Sequence, residues 1–259
     1  MSAAGLVSEF DTVILAGGSA ARMAGADKPG LAVGGTAMLV SVAQAAVSAG
    51  TRRLIIVGPQ RAGTVQDSLA RAAASLPGSM VCVREEPPGS GPLAALRRGL
   101  TEVSAPWLAL LAADLPFLAG ADLTGMLAAG LTGDEACGEV GDEVGDHGPG
   151  AGQAGVVLVD DDGRPQWLAG VWRAGPLRTA LLGYGGRSLH GLLAPLDPVP
   201  MRLPVAGPGA PWLDCDTPDD LAAARRAFSA FSARASSRAV ITRTERHDDA
   251  GQLDHGRLR

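Results

Sequence analysis

Short apolar runs alternate with helically spaced stretches through the first half of the chain. Thr12–Leu15 is apolar and β-branched and ends at Gly17-Gly18, which predicts a buried strand. Met38–Ala49 has helical spacing and stops at Gly50, a residue suited to the position after a helix. Arg53–Val57 predicts a second strand, closed by Gly58-Pro59, and Val65–Ser75 a helix that stops before Pro77. Met80–Arg84 predicts a third strand, Gly89–Gly91 a turn, and Pro92–Leu100 a helix with proline in its first turn. Trp107–Ala112 is a very apolar strand that runs directly into Ala113-Asp114-Leu115-Pro116, and Ala121–Leu131 is helical. Strand followed by helix followed by strand predicts βαβ units and a mostly parallel sheet. Ligands of such sheets bind outside the carboxyl ends of the strands, where the Gly17-Gly18 loop, the Glu85-Glu86 loop and Asp114 all fall.

The pattern breaks at Thr132–Gly155, which is rich in Gly, Asp and Glu and nearly free of large apolar residues. It reads as a flexible surface insertion, and His147 within it as part of a solvated loop ahead of a metal ligand. Alternation resumes as a β-hairpin: Val156–Val159, a turn at Asp160–Gly163, and a return through Trp167–Arg173. Leu177–Leu182 and Ser188–Ala194 predict helices. Thr217 is a good N-cap with Pro218 behind it and Asp219 and Asp220 in the first turn, and that helix is expected to run to about Ala233. From Ser236 the chain is charged and poorly periodic. The expected organisation is one domain over residues 1–235 and a disordered tail over 236–259.

Composition narrows the class. Apolar residues make up 46% of the chain but aromatic ones only 3%, so the core must be built from Ala, Leu and Val, as suits a parallel sheet covered by helices. The net charge of −5 argues against a nucleic-acid partner, while leaving room for a local site that takes a small anion. The apolar stretch Trp107–Leu123 is interrupted by Asp114, Pro116 and Asp122, which argues against a membrane span. Met1–Phe10 has no secretion-signal pattern, and Cys82, Cys137 and Cys215 have no metal-type spacing, so a cytoplasmic location is expected.

The chain has 22 basic residues, and only Lys28 is a lysine. It closes a segment with Gly17-Gly18 and Arg22. Glycines let backbone N–H groups approach an anion, and a lysine ammonium is a point charge that can sit among several phosphate oxygens, whereas a guanidinium is a planar fork. The spacing matches neither the dinucleotide-binding fingerprint nor the P-loop, and the bland alternative is an ordinary strand-to-helix turn. Asp114, at the end of an apolar strand, suits Mg2+, which takes oxygen ligands and shares them with substrate phosphates; the alternative is a cap for the helix after Pro116. Asp214 and Asp216, if on a strand, point to one face and converge on a cation; the alternative is again helix capping. The carboxylates of Glu85-Glu86 could accept from a base or ribose, or the loop could be rigid and exposed.

Leu15-Ala-Gly-Gly-x-x-x-Arg22-Met23 with Asp27-Lys28, Gly91-Pro92-Leu93-Ala94, Ala113-Asp114-Leu-Pro-Phe117, and Asp214-x-Asp216-Thr217-Pro218-x-x-Leu221 together resemble the molybdenum cofactor nucleotidyltransferases, and among them the guanylyltransferase family. The resemblance runs from about Asp11 to Phe228, and Trp167–Arg173 resembles the strand that faces the pterin. It implies an α/β fold, Rossmann-like and three-layered, with a mostly parallel twisted sheet and an antiparallel hairpin in the second half. It implies transfer of GMP from GTP to molybdopterin or Mo-molybdopterin with release of pyrophosphate. Arg22, Lys28 and Asp114 would be catalytic. Leu15, Ala16, Gly17, Gly18, Ser19, Gly58, Glu86, Gly91, Pro92 and Leu93 would join them around the nucleotide. Asp114, Asp216 and Asp214 would hold Mg2+. Molybdenum insertion proteins and apo-molybdoenzymes would be partners. Gly58 stands where the family often has Asn, Glu86 where it often has Asp, and Asp214-x-Asp216 where it often has Asn-x-Asn. Cytidylyl transfer to the same cofactor, transfer to another small phosphate monoester, and a catalytically silent nucleotide-binding module remain alternatives.

Overall fold

The computed structural model describes residues 9–17, 27–135 and 153–251. Gly18, Ser19 and Arg22 lie outside them, as do Cys137, His147 and most of the expected insertion.

The strands are β1 (Phe10–Leu15), β2 (Ala32–Val33), β3 (Thr36–Ala37), β4 (Leu54–Val57), β5 (Met80–Val83), β6 (Trp107–Ala112), β7 (Gly155–Val159), β8 (Pro165–Arg173) and β9 (Val199–Met201). The helices are α1 (Met38–Ser48), α2 (Thr64–Ala73), α3 (Pro92–Leu100), α4 (Gly120–Glu135), α5 (Ala174–Gly183), α6 (Leu189–Leu193) and α7 (Pro218–Gly251). Seven strands form one sheet in the order β5-β4-β1-β6-β8-β7-β9. β5, β4, β1 and β6 are mutually parallel, while β8 runs antiparallel to both β6 and β7.

Side-chain alternation explains the three layers. Phe10 and Ile14 of β1, Leu54 and Ile56 of β4, and Trp107, Ala109 and Leu111 of β6 pack on one face, with α1 and α4. Val13, Leu15, Ile55, Val57, Leu108 and Leu110 fill the other, beneath α3, α5 and α6. A strand buried on both faces has no polar side to show, so it reads as a continuous apolar run.

Gly99 shows how tightly α3 approaches. A Cβ there would lie 2.7 Å from Val13 Cγ1 and 3.0 Å from Val57 Cγ2. Gly99→Ala is therefore expected to destabilise the protein by about 1–3 kcal/mol through overpacking, despite alanine's better helix propensity. Urea unfolding measures this, and a stability equal to or above that of the unmodified protein would contradict the packing argument.

Several expectations change. Helix α4 continues through Glu135, so the residues from Thr132 to Glu135 extend a helix instead of opening the insertion. Helix α7 runs to Gly251, past the Ala233 near which its end was expected; between Pro218 and Gly251 the sequence has no proline or glycine to end it. The β2–β3 hairpin, absent from the sequence expectation, turns at the glycine pair Gly34-Gly35, both with positive φ (60° and 84°). Strand β9 is too short to show a period, and its pairing with β7 is non-local. No helix among the described residues is long and apolar enough to cross a membrane.

Candidate functional site

From β1 the chain moves to β4 and β5 on one side and then crosses to β6 on the other. Such a reversal opens a crevice at the carboxyl ends of the two central strands. Gly17, at the exit of β1, and Asp114, two residues past β6, stand at its rims.

Lys28 begins a short 3-10 turn over Lys28–Gly30. Its ammonium lies between two carboxylates: it is ion-paired to Asp114 Oδ2 and donates to Asp216 Oδ1 at 2.5 Å. Burial works against the charge on Lys28, but the hydrogen bonds and negative charges of Asp114 and Asp216 outweigh it and raise the pKa above its ordinary value. The ammonium therefore stays protonated across the physiological range.

The capping alternatives fall away. The residue that turns back at the start of α4 is Asp122, whose Oδ2 accepts the Ala119 N–H at 2.8 Å. At the start of α7, Thr217 Oγ1 accepts the Asp220 N–H at 3.2 Å, and Asp220 Oδ2 accepts the Thr217 N–H at 2.8 Å, a reciprocal box that needs neither Asp214 nor Asp216. Asp214–Asp216 is not a strand, which corrects the sequence expectation: it pairs with no strand among the described residues. Extended alternation nevertheless survives: Cys215 is fully buried while Asp214 and Asp216 face outward. Burial, followed by the Asp114 charge, pushes the Cys215 thiol up to about 11, so it packs as a neutral group. Asp214 also has a raised pKa, from the partial desolvation of its carboxylate first and then from Asp216 and Asp114.

Around the loop, the sheet already engages part of the expected nucleotide backbone. The Ala16 N–H donates to Val57 O at 2.8 Å, and Leu15 O accepts the Ala113 N–H at 3.2 Å. Gly58 is glycine for a steric reason: a Cβ there would lie 2.7 Å from the Ala16 carbonyl. Gly91 caps α3 with φ 91°, Pro92 occupies its first turn and Leu93 is buried beneath it. Glu86 is exposed, whereas Glu85 is buried. Glu85 Oε1 accepts the Gly89 N–H at 2.9 Å, and its Oε2 is buried without a hydrogen-bond partner among the described residues. Adjacent carboxylates in sequence look alike; the loop beyond β5 buries one and exposes the other.

Asp114, Asp214 and Asp216 also line a cavity of about 340 Å³, together with Pro165, Gln166, Trp167, Leu189 and Trp212. The Trp167 ring meets His190 edge-on, with ring centroids 5.3 Å apart. A lining that combines carboxylates and indoles suits a ligand that carries both a charged group and a flat ring. Trp212 gives no chemical signal in the sequence and is found only by folding.

The sequence model of the MobA-like NTP transferase domain matches residues 12–199. The chain belongs to that family. This MobA-like chain is 36% identical over 113 residues to a probable molybdenum cofactor guanylyltransferase of Natronomonas pharaonis, a match covering 43% of this chain and 52% of the relative. It thus spans about half the length of that curated relative. Two solved structures share the fold. A nucleotidyl transferase from Methanothermobacter thermautotroptrophicus is 20% identical, with a TM-score of 0.58 over 85% of this chain and 97% of the other. Molybdopterin-guanine dinucleotide biosynthesis protein A from Archaeoglobus fulgidus is 18% identical, with a TM-score of 0.54 over 85% and 98%. The MobA-like fold here is a mostly parallel central sheet with flanking helices and an antiparallel hairpin, as the sequence predicts.

Proposed function

We propose that this protein transfers GMP from GTP to the phosphate of molybdopterin or Mo-molybdopterin and releases pyrophosphate. The observation that carries this reading is the Asp114–Lys28–Asp216 cluster at the β1/β6 crevice, open to an indole-lined cavity.

In the reaction, an oxygen of the acceptor phosphate attacks the α-phosphorus in line. A new P–O bond forms, the α–β phosphoanhydride bond breaks, and pyrophosphate leaves with its electron pair. A phosphate monoester is already ionised near neutral pH, so no general base is needed. Positioning and charge stabilisation do the work. Lys28 would exchange its carboxylates for phosphate oxygens, joined by Arg22, and stabilise charge on the leaving pyrophosphate.

The donors fit a divalent cation, because the oxygens of Asp114 and Asp216 already converge on one positive group, the Lys28 ammonium. Asp114 and Asp216 would hold Mg2+, with Asp214 beside them. Mg2+ commonly completes its oxygen ligands with substrate phosphates and water. Bound there, Mg2+ would neutralise phosphate charge. Molybdenum insertion proteins and apo-molybdoenzymes are the partners this activity calls for.

Pyrophosphate release with GTP, CTP, ATP and UTP, each with and without molybdopterin, tests the reading. Release is expected only with GTP and molybdopterin together. Turnover with CTP would move the assignment to cytidylyl transfer, and silence with all four would remove the enzymatic reading.

A further inference from the structure

Arg61 lies four residues beyond β4 and carries no motif, yet its guanidinium ties together the two ends of the segment that leads to Lys28. Nη2 donates to the Ala16 carbonyl at 2.9 Å, at the exit of β1. Nη2 and Nε donate to Oδ1 and Oδ2 of Asp27 at 3.0 and 3.1 Å, immediately before Lys28. Nη1 donates to Pro59 O at 3.3 Å, so each of the three nitrogens has a partner. The Arg61 side chain is 7% exposed, against 52% for Asp27.

We propose that Arg61 is a positioning residue for nucleotide binding, holding Ala16 and Asp27 together so that Lys28 enters the crevice opposite Asp114 and Asp216. This rests on the nucleotidyl-transfer reading above. The charge of Arg61 is matched by Asp27 and four of its five N–H groups are engaged, so it acts through Asp27 and not as a phosphate ligand. The linkage onward is stiff. The Asp27 carbonyl accepts the Gly30 N–H at 2.9 Å and the Lys28 carbonyl accepts the Leu31 N–H at 3.1 Å, so Asp27 and Lys28 sit in one closed turn. Gly30 makes room for the held carboxylate, since a Cβ there would lie 2.6 Å from Asp27 Oδ2. The site requires arginine: a side-on fork grips both carboxylate oxygens while reaching a carbonyl, which a lysine cannot do.

Loosening the brace lowers the fraction of protein with Lys28 in place before nucleotide arrives. Apparent affinity falls by that fraction, while chemistry after binding is retained. The experiment compares the full-length protein with Arg61→Lys, Asp27→Asn and the double variant, reading GTP affinity by calorimetry, KM and kcat by pyrophosphate release, and thermal midpoint. Each single variant is expected to raise the dissociation constant and KM for GTP about tenfold with kcat within about threefold, and the double variant to be no worse than the weaker single one. Should Arg61→Lys fail to fold, Asp27→Asn, which alters the half-exposed partner, carries the test. Variants that lose thermal stability but bind GTP normally would show a purely structural bridge and overturn the proposal, as would defects that add in the double variant. An unmodified protein that binds no nucleotide would defeat the functional reading and this inference with it; an active one with unaffected variants defeats this inference alone.

Discussion

Lys28→Ala is expected to reduce kcat/KM by about 10³-fold or more while leaving the fold intact, because it removes the charge that stabilises the departing pyrophosphate. The side chain is not a core group: it is 20% exposed and its partners are two carboxylates at the crevice mouth. Removing it leaves Asp114 facing Asp216 without a cation between them, a local repulsion weakened by solvent because Asp216 is nearly half exposed. Circular dichroism should therefore be unchanged and the thermal midpoint only slightly lower. Lys28→Arg should not restore activity, since the planar fork cannot replace a compact ammonium among phosphate oxygens. Without the ammonium, the two carboxylates should also bind Mn2+ more tightly in the absence of nucleotide, read by the loss of free Mn2+ signal in electron paramagnetic resonance. A fully active alanine variant would sink the phosphate role.

Asp114→Asn should lower turnover by about 10²–10³-fold, comparable with losing one preorganised electrostatic contact to the transition state. Asparagine keeps the shape of the side chain and removes its charge. Asp114 is the more enclosed of the two carboxylates on Lys28, at 14% exposure against 47% for Asp216. It plays no part in capping α4, which Asp122 does, so the loss would report on chemistry and not on helix stability. Asp214→Asn should have a smaller effect, about tenfold, because Asp214 stands beside the proposed cation site and lies outside the ion pairs with Lys28. Steady-state rates at saturating Mg2+ measure both. Equal effects from the two substitutions would mean that the cation site is assigned to the wrong carboxylate.

The elements legible in the sequence are those whose signal is local. Trp107–Ala112 and Pro92–Leu100 coincide with β6 and α3, since a doubly buried strand must be apolar throughout and a proline and a glycine mark the helix start. Lys28 was likewise visible as the chain's one lysine, Asp114 as the acid after an apolar strand, and Asp216 as an acid ahead of a capped helix. Their distance from one another was not, with 188 residues separating Lys28 from Asp216.

What the sequence determined by itself was therefore the repertoire: strands, helices, one lysine, the acids at strand ends, and a family resemblance that the MobA-like match bears out. Tertiary structure decided which of them act together. Only folding placed β8 beside β6, enlisted Trp212, buried Glu85 while exposing Glu86, and seated Arg61 across Ala16 and Asp27. The physical reason is the range of the interactions. Periodicity, capping and turn chemistry act over a few residues and leave a trace in composition, whereas a salt bridge or cavity wall depends on where distant backbones come to rest.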